Sequence, residues 1–373
     1  MTSNTTRRML VICPFPEGCA AQQRLKYEQY FADWRSAGWE IEVSSFLDRK
    51  AWEVLYKPGH LLAKAWGTLK GYLRRSHDLG RVGSYDLVYV CMWATPFFGP
   101  LFERLIRARA KALVYDIEDN VLSGAEGQAD NPNPLSRLLK SQSKFLYLIR
   151  EADHVITSSP FLNETCMGIN RARACTYISS SVDTDRFQPA TPYSNDKPVV
   201  IGWTGTFSSS VYLDLLRGVF QRLAQKVPFR LRVIGNFDYE LPGVDLEVIR
   251  WSAAEEVAQL QALDIGVYPL PIDDWVLGKS GLKAIQYMAF ALPCVATEVG
   301  TTPMIIQNGR NGILVKTEQE WELALEKLIA DPALRRQLGE AARKDAVAKY
   351  SLAAIAGQYR AVVESAIEQG SNG

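Results

Sequence analysis

Short apolar runs, each closed by glycine, proline or polar residues and followed by a stretch of helical period, recur along the whole chain. In the first half they are Met9–Cys13, Glu40–Ser44, Leu87–Cys91, Ala112–Asp116 and His154–Ser158, with a helical pattern near Ala21–Ser36. Runs of this length between breakers predict buried strands, and their alternation with helices predicts a parallel, doubly wound α/β sheet. The run Gln188–Pro198 is polar, carries prolines and lacks periodicity, so it reads as a linker. A second series follows: Val199–Trp203, Leu231–Ile234, Leu246–Ile249, Ile265–Tyr268, Cys294–Ala296 and Ile313–Val315. No solenoid repeat or low-complexity tract interrupts the pattern, which leaves two Rossmann-like domains, 1–190 and 191–350, expected to face each other across a cleft. A last helix is read over 351–373.

The densest chemistry lies in Asp264–Thr297, which reads as strand, loop, helix and strand in one unit. Pro269 and Pro271 end the first strand, and Leu282–Leu292 is a helix closed by Pro293. Between them stand Asp273, Asp274 and Trp275, then Gly278, Lys279, Ser280 and Gly281 at the helix start. A helix N-terminus offers unpaired N–H groups and the positive end of its dipole, and glycines let a phosphate come close. Lys279, Lys283 and Gln286 follow at i, i+4 and i+7, so two cations and an amide share one face toward an anionic, hydroxyl-rich ligand. A P-loop needs a glycine where Asp273 stands, which argues against an ATPase.

The string Gly278–Met288, GKSGLKAIQYM, resembles a subset of the family 4 glycosyltransferases of GT-B fold with a Gly-Lys-x-Gly-x-Lys-x-x-Gln-Tyr-Met signature. YDLVYV at Tyr85, VYDIEDNV at Val114, EADHVITSS at Glu151, VDTDRFQP at Val182, IGWTGTFSSSVYLDLL at Ile201, VIGNF at Val233 and TEVGTTPMIIQNGRNGILV at Thr297 resemble their counterparts as well. The resemblance implies a nucleotide-diphosphate sugar donor on the C-terminal domain, transfer with retention, no metal, and a last helix, 351–373, that packs back on the N-terminal domain. Most of the wider family carries two glutamates eight positions apart here, where this chain has Gly278 and Gln286.

Composition adds exclusions. With 42 basic and 41 acidic residues, net charge +1, the chain offers no global attraction for nucleic acid. Cys13, Cys19, Cys91, Cys166, Cys175 and Cys294 lack metal-ligand spacing, which fits reduced thiols in a cytoplasmic protein. The run after Arg7 and Arg8 is far short of the ~20 residues of a spanning helix, and no segment reads as an export signal.

In open parallel sheets ligands bind at the carboxyl ends of the strands. After Val199–Trp203 come Gly205 and Thr206 with three serines, suited to a diphosphate or equally to capping the next helix. The resemblance places Gly205 and Thr206 at the donor diphosphate and Trp251 near the base, where it either stacks or only packs. Asp274 and its neighbours suit sugar hydroxyls, or form an ordinary polar loop. In the first domain Glu17, Gly18 and Arg24 follow the first strand and become acceptor-side candidates by the same resemblance. Asp116, Glu118 and Asp119 close a buried strand at the expected cleft edge, where acids bind a cation, orient a hydroxyl or deprotonate it; Asp116 is an acceptor-side candidate, and Asp119, on the same side, and Lys279, on the donor side, are the catalytic candidates.

One insert stands apart. Residues 49–81 interleave Lys57, Lys64, Lys70, Arg74 and Arg75 with Trp52, Tyr56, Leu61, Leu62, Trp66, Leu69 and Tyr72. Such helices either lie on anionic membranes or pack their aromatics inward with lysines in water. The combined expectation is a glycosyltransferase acting on a glycan, lipid-linked or small-molecule hydroxyl acceptor, with no cofactor beyond its nucleotide sugar. A GT-B nucleotide-sugar epimerase and a non-catalytic nucleotide-sugar-binding protein are the alternatives.

Overall fold

The computed structural model describes residues 6–118, 142–190 and 198–372. The chain forms two compact units, Met1–Ser179 with Ile355–Gly373, and Ser180–Ala354. Among the described residues, unit 1 holds a six-stranded sheet in the order β2-β1-β3-β4-β5-β6. Its strands are β1 (Arg7–Cys13), β2 (Trp39–Ser45), β3 (Leu87–Cys91), β4 (Leu113–Ile117), β5 (His154–Thr157) and β6 (Cys175–Tyr177). Every ladder is parallel. Parallel strands are covered on both faces, which is why β3, β4 and β5 are buried at every position. The edge strand β6 escapes sequence reading because it is three half-buried residues with no apolar run.

The helix expected over Ala21–Ser36 is broken. It forms as Ala21–Arg24, a 3-10 turn Glu28–Tyr30 and Phe31–Ser36. The break lets Lys26 turn inward onto Asp116 and the Gln23 amide bracket the backbone N–H and C=O of Phe15. Residues Ile355 onward of the helix Leu352–Asn372 belong to this unit: Tyr359 lies 4.6 Å from the Tyr30 ring and Arg7 pairs with Glu364 at 2.6 Å. His154, buried against Thr176 and Ser365, is pushed down to about 4 by desolvation, so it packs there as neutral imidazole.

Unit 2 repeats the architecture with another sheet order, β12-β11-β10-β7-β8-β9. Its strands are β7 (Val199–Thr204), β8 (Phe229–Ile234), β9 (Leu246–Ile249), β10 (Ile265–Tyr268), β11 (Cys294–Thr297) and β12 (Gly312–Val315). All six match the runs read from sequence. Counted within the unit this is the 3-2-1-4-5-6 winding, whose order reverses between β7 and β10, the place where such sheets bind ligands. One buried cluster gathers Ile285, Tyr287 and Met288 of the helix Leu282–Ala289 below the sheet; another gathers Leu216, Phe220 and Leu325 on its other face. Gly266 is required in β10, since a Cβ there would stand 2.3 Å from the Tyr287 ring. That helix ends at Ala289, short of the expected Leu292, because Ala291 turns left-handed and the N–H groups of Ala291 and Leu292 return to Met288 and Tyr287. No helix among the described residues is long and apolar enough to cross a membrane.

Candidate functional site

The candidate donor site lies within unit 2 at the carboxyl ends of β7 and β10. The helix Leu282–Ala289 begins there on Gly281, whose φ of +74° is left-handed and whose Cβ, if present, would lie 2.2 Å from Ile305. Glycine alone meets both demands. No side chain caps this start, so its first N–H groups are not consumed by the fold. The loop before it is fixed: Asp273 accepts from Val276 N at 3.0 Å, and Thr301 donates to the Lys279 carbonyl at 2.8 Å. Gly278 is buried, Ser280 half-buried and Asp274 exposed.

Lys283, the second residue of the helix, carries the electrostatics. Its Nζ lies 4.5 Å from the Trp203 ring and 5.8 Å from that of Tyr268, the aromatics at or near the ends of β7 and β10. Among the described residues it has no carboxylate partner. Desolvation first, and the charge of Lys279 second, push it down to about 7. Lys279 stands 5.4 Å from the Trp275 ring. Gln286 shares the helix with Lys283 and is buried, its amide without a hydrogen bond to a described residue, whereas Lys279 stands before the helix in extended backbone, so the face expected for all three holds only for Lys283 and Gln286. Tyr287 couples the helix to both strands, accepting from Thr204 N at 3.2 Å and donating to Val267 O at 3.5 Å.

Across this reversal of strand order, Gly205 seats its backbone on Trp203, where a Cβ would meet the indole at 2.3 Å. Thr206 is exposed, and its loop hydroxyls serve the fold: Thr206 and Ser209 form a reciprocal cap on the turn Phe207–Ser209. Trp251, beyond β9, is half-buried and packs on the core. Sequence reasoning missed Trp203, Tyr268 and Thr301. Their signal was position, since the first two end or nearly end strands flanking the reversal.

In unit 1, Gly18 has φ +76° and donates to Glu28 at 2.9 Å, and Gln23 donates to the other Glu28 oxygen at 3.0 Å. Burial raises the Glu28 carboxyl. Glu17 is exposed, its carbonyl accepting from Arg49 at 3.3 Å, and Arg24 is half-buried. Asp116 is corrected from an acid presented at an edge to a fully buried ion-pair partner: Lys26 lies at 2.5 Å and Tyr89 donates to it at 2.5 Å. Asp119 lies outside the described residues. Among those described, no cluster of three His, Cys, Asp or Glu is gathered for a metal.

Comparison with known proteins agrees with this architecture. Residues 198–331 match the family model of glycosyl transferases group 1. D-inositol 3-phosphate glycosyltransferase of Corynebacterium aurimucosum is 29% identical over 222 residues, 51% of this chain and 51% of that protein. N-acetyl-alpha-D-glucosaminyl L-malate synthase of Bacillus anthracis is 30% identical over 95 residues, 25% of each chain. The chain thus spans about half the length of the first of these curated relatives and a quarter of the second. Among solved structures, sucrose-phosphate synthase from Thermosynechococcus elongatus superposes with TM-score 0.69 at 17% identity, covering 96% of this chain and 98% of that one. Anabaena HepE in complex with UDP gives 0.64 at 16%, covering 96% and 100%. The fold is that of the GT-B glycosyltransferases, and within its second unit residues 198–331 are similar to the glycosyl transferases group 1 model.

Proposed function

We propose that this protein is a glycosyltransferase that moves a sugar from a nucleotide-diphosphate donor to a hydroxyl acceptor, with retention and without a metal. The observation that carries the reading is the uncapped start of the helix Leu282–Ala289 at the reversal of strand order, with Lys279 in the loop before it and Lys283 and Gln286 on the helix itself. A diphosphate fits the N–H groups and the two ammonium ions, which stabilise the charge that develops as the nucleotide departs. Gln286 both donates to and accepts from sugar hydroxyls, standing where the wider family has a glutamate. Gly205 and Thr206 border the diphosphate, Trp251 the base, and Asp274 with Ser280 and Gly281 the sugar side.

Glu17, Gly18 and Arg24 are assigned to the acceptor side, with Asp116 as an internal brace and Asp119 as the candidate catalytic residue that orients or deprotonates the acceptor hydroxyl. A cytoplasmic location and a membrane contact through 49–81 belong to the same reading. The acceptor remains one of three classes: glycan, lipid-linked molecule or small molecule.

The test is a thermal-shift and calorimetric screen against UDP, GDP, ADP, CMP and their common sugars, repeated on Lys279→Ala and Gln286→Ala. A ligand at 100 times its dissociation constant stabilises by ~2.7 kcal/mol. One nucleotide is expected to act selectively, and Lys279→Ala to abolish the shift. A folded protein indifferent to every nucleotide ends the proposal, and binding without turnover toward any acceptor favours the non-catalytic alternative.

A further inference from the structure

We propose that the outer face of the helix Leu61–Arg81, with Tyr56, Phe98 and Leu101 beside it, docks on an anionic lipid bilayer. This rests on the reading of the chain as an enzyme working beside a membrane, and gives that contact its residues and its lipid chemistry.

A helix that covers a soluble core turns its apolar stripe inward. This one is turned the other way. Leu62, Trp66, Leu69 and Leu73 recur at i, i+4, i+7 and i+11, one face, and all are exposed: Leu62 at 88%, Trp66 at 57% and Leu73 at 60%. The opposite stripe, Gly67, Gly71, Arg75 and Asp78, is the buried one. Its glycines allow close backbone approach, since a Cβ would stand 2.7 Å from the Ala51 Cβ at Gly67 and 2.5 Å from the Phe46 ring at Gly71. Arg75 donates to the carbonyls of Cys13 and Ala94 at 2.9 and 2.8 Å and pairs with Asp78 at 2.9 Å. The inner face is therefore satisfied in full by small and polar groups. Of the insert's aromatics, Trp52 and Tyr72 do pack against Phe15 and Phe46, while Tyr56 and Trp66 stay in solvent.

The patch continues beyond the helix. Tyr72 sits 6.1 Å from the ring of Phe98, which is 70% exposed and held at a left-handed φ of +65°, and Leu101 follows in the open. Tyr56 extends it from the preceding helix, edge-on to Trp52 at 5.7 Å.

Charge selects the partner. Residues 49–81 contain eight Lys and Arg against Glu53 and Asp78, in a chain of net charge +1. Asp78 is buried and paired with Arg75 and Arg81, so the charge left at the surface is basic: Lys50 and Lys57 exposed, Lys64 half-buried beside the stripe. Leu and Trp on one face with flanking lysines is the composition of helices that lie in the headgroup layer, their basic stems reaching toward anionic phosphates.

Co-sedimentation with vesicles of phosphatidylcholine, and of phosphatidylcholine mixed with phosphatidylglycerol, tests this. Wild type is expected to bind the mixed vesicles and to bind the neutral ones weakly. The triple variant Leu62→Glu, Trp66→Glu, Leu73→Glu should lose at least about tenfold in partitioning. Lys57→Glu with Lys64→Glu should lose most of the preference for the anionic lipid, as should added salt. The triple variant should melt as wild type does, because its substituted side chains are largely solvated, and the lysine pair close to it, since the fold loses only the Lys64 hydrogen bond to the Lys57 carbonyl. Failure of wild type to bind mixed vesicles, equal binding by the triple variant, or a dimer that this variant splits in the absence of vesicles would each overturn the proposal. Nucleotide binding is read in parallel: vesicle binding without it removes the donor reading and keeps the docking face, and the reverse removes the docking face alone.

Discussion

Each unit sets an inward-turned lysine near the carboxyl ends of its parallel strands, and the two are treated in opposite ways. In unit 1, Lys26 is closed off: Asp116 lies at 2.5 Å, Tyr89 donates to the same carboxylate, and the Ile117 carbonyl accepts from the ammonium at 3.3 Å. In unit 2, Lys283 meets the faces of Trp203 and Tyr268 and the repulsion of Lys279. Both suffer desolvation. Only Lys26 has its charge held above its ordinary titration range: burial is the largest single influence and lowers it, but the charges of Asp116 and Glu118 and the hydrogen bond to Asp116 together outweigh it. A closed pair supports the fold, whereas a cation supported by rings alone retains electrostatic capacity for a ligand.

The largest effect is expected where the closed pair is broken. Asp116→Asn should leave the Lys26 ammonium buried without its counter-charge and cost about 3–5 kcal/mol, read as a lower denaturant midpoint. Restoring balance with Lys26→Met and Asp116→Leu together should recover most of the loss. A single variant as stable as wild type would mean that the pair does not hold β4.

Lys283→Met should do the reverse. Melting is expected to stay level or rise, since a desolvated amine is replaced by a thioether chain, while nucleotide-diphosphate binding weakens by roughly 1.5–3 kcal/mol, the worth of a charged hydrogen bond. Unchanged affinity by calorimetry would dissociate Lys283 from the diphosphate.

The pH dependence is next in size. The Lys283 proton leaves near 7 in the folded chain and near ~10.4 in the unfolded one. The unfolded state binds more protons between those values, so this group adds stability as pH rises from about 7 and the gain saturates near ~10. A bound diphosphate favours the charged form. Binding therefore takes up a proton, and affinity falls by up to about tenfold per pH unit above neutrality. Calorimetry at pH 8 in two buffers of different ionisation enthalpy should show unequal heats; equal heats would contradict it. Lys26, whose proton is held by Asp116, contributes no such step near neutrality.

The smallest effect belongs to Thr301→Val, which removes the hydroxyl that holds the Lys279 carbonyl. About 1 kcal/mol should be lost in stability. Nucleotide affinity should fall by a few-fold as the lysine loop loosens, and retained affinity would show that the loop is held by its glycines.

What the sequence by itself determined is local. All six strands of unit 2 and the glycine-marked helix start followed from apolar runs and breakers, because each is encoded within a few neighbouring residues; the helical period joins Lys283 to Gln286 but does not reach Lys279, which stands in extended backbone before the helix. Only the tertiary structure decided features that depend on partners far along the chain. Lys26 and Asp116 are 90 positions apart, Trp203 and Lys283 are 80, and no local pattern announces that the first pair closes while the second stays open. The helix Leu61–Arg81 shows the same limit. Its periodicity fixed that it is amphipathic, but which stripe turns inward was settled by Ala51 and Phe46 reaching Gly67 and Gly71, and by Arg75 finding four partners inside. Burial is a property of the assembled neighbours, and a sequence period specifies a face without specifying what it will meet.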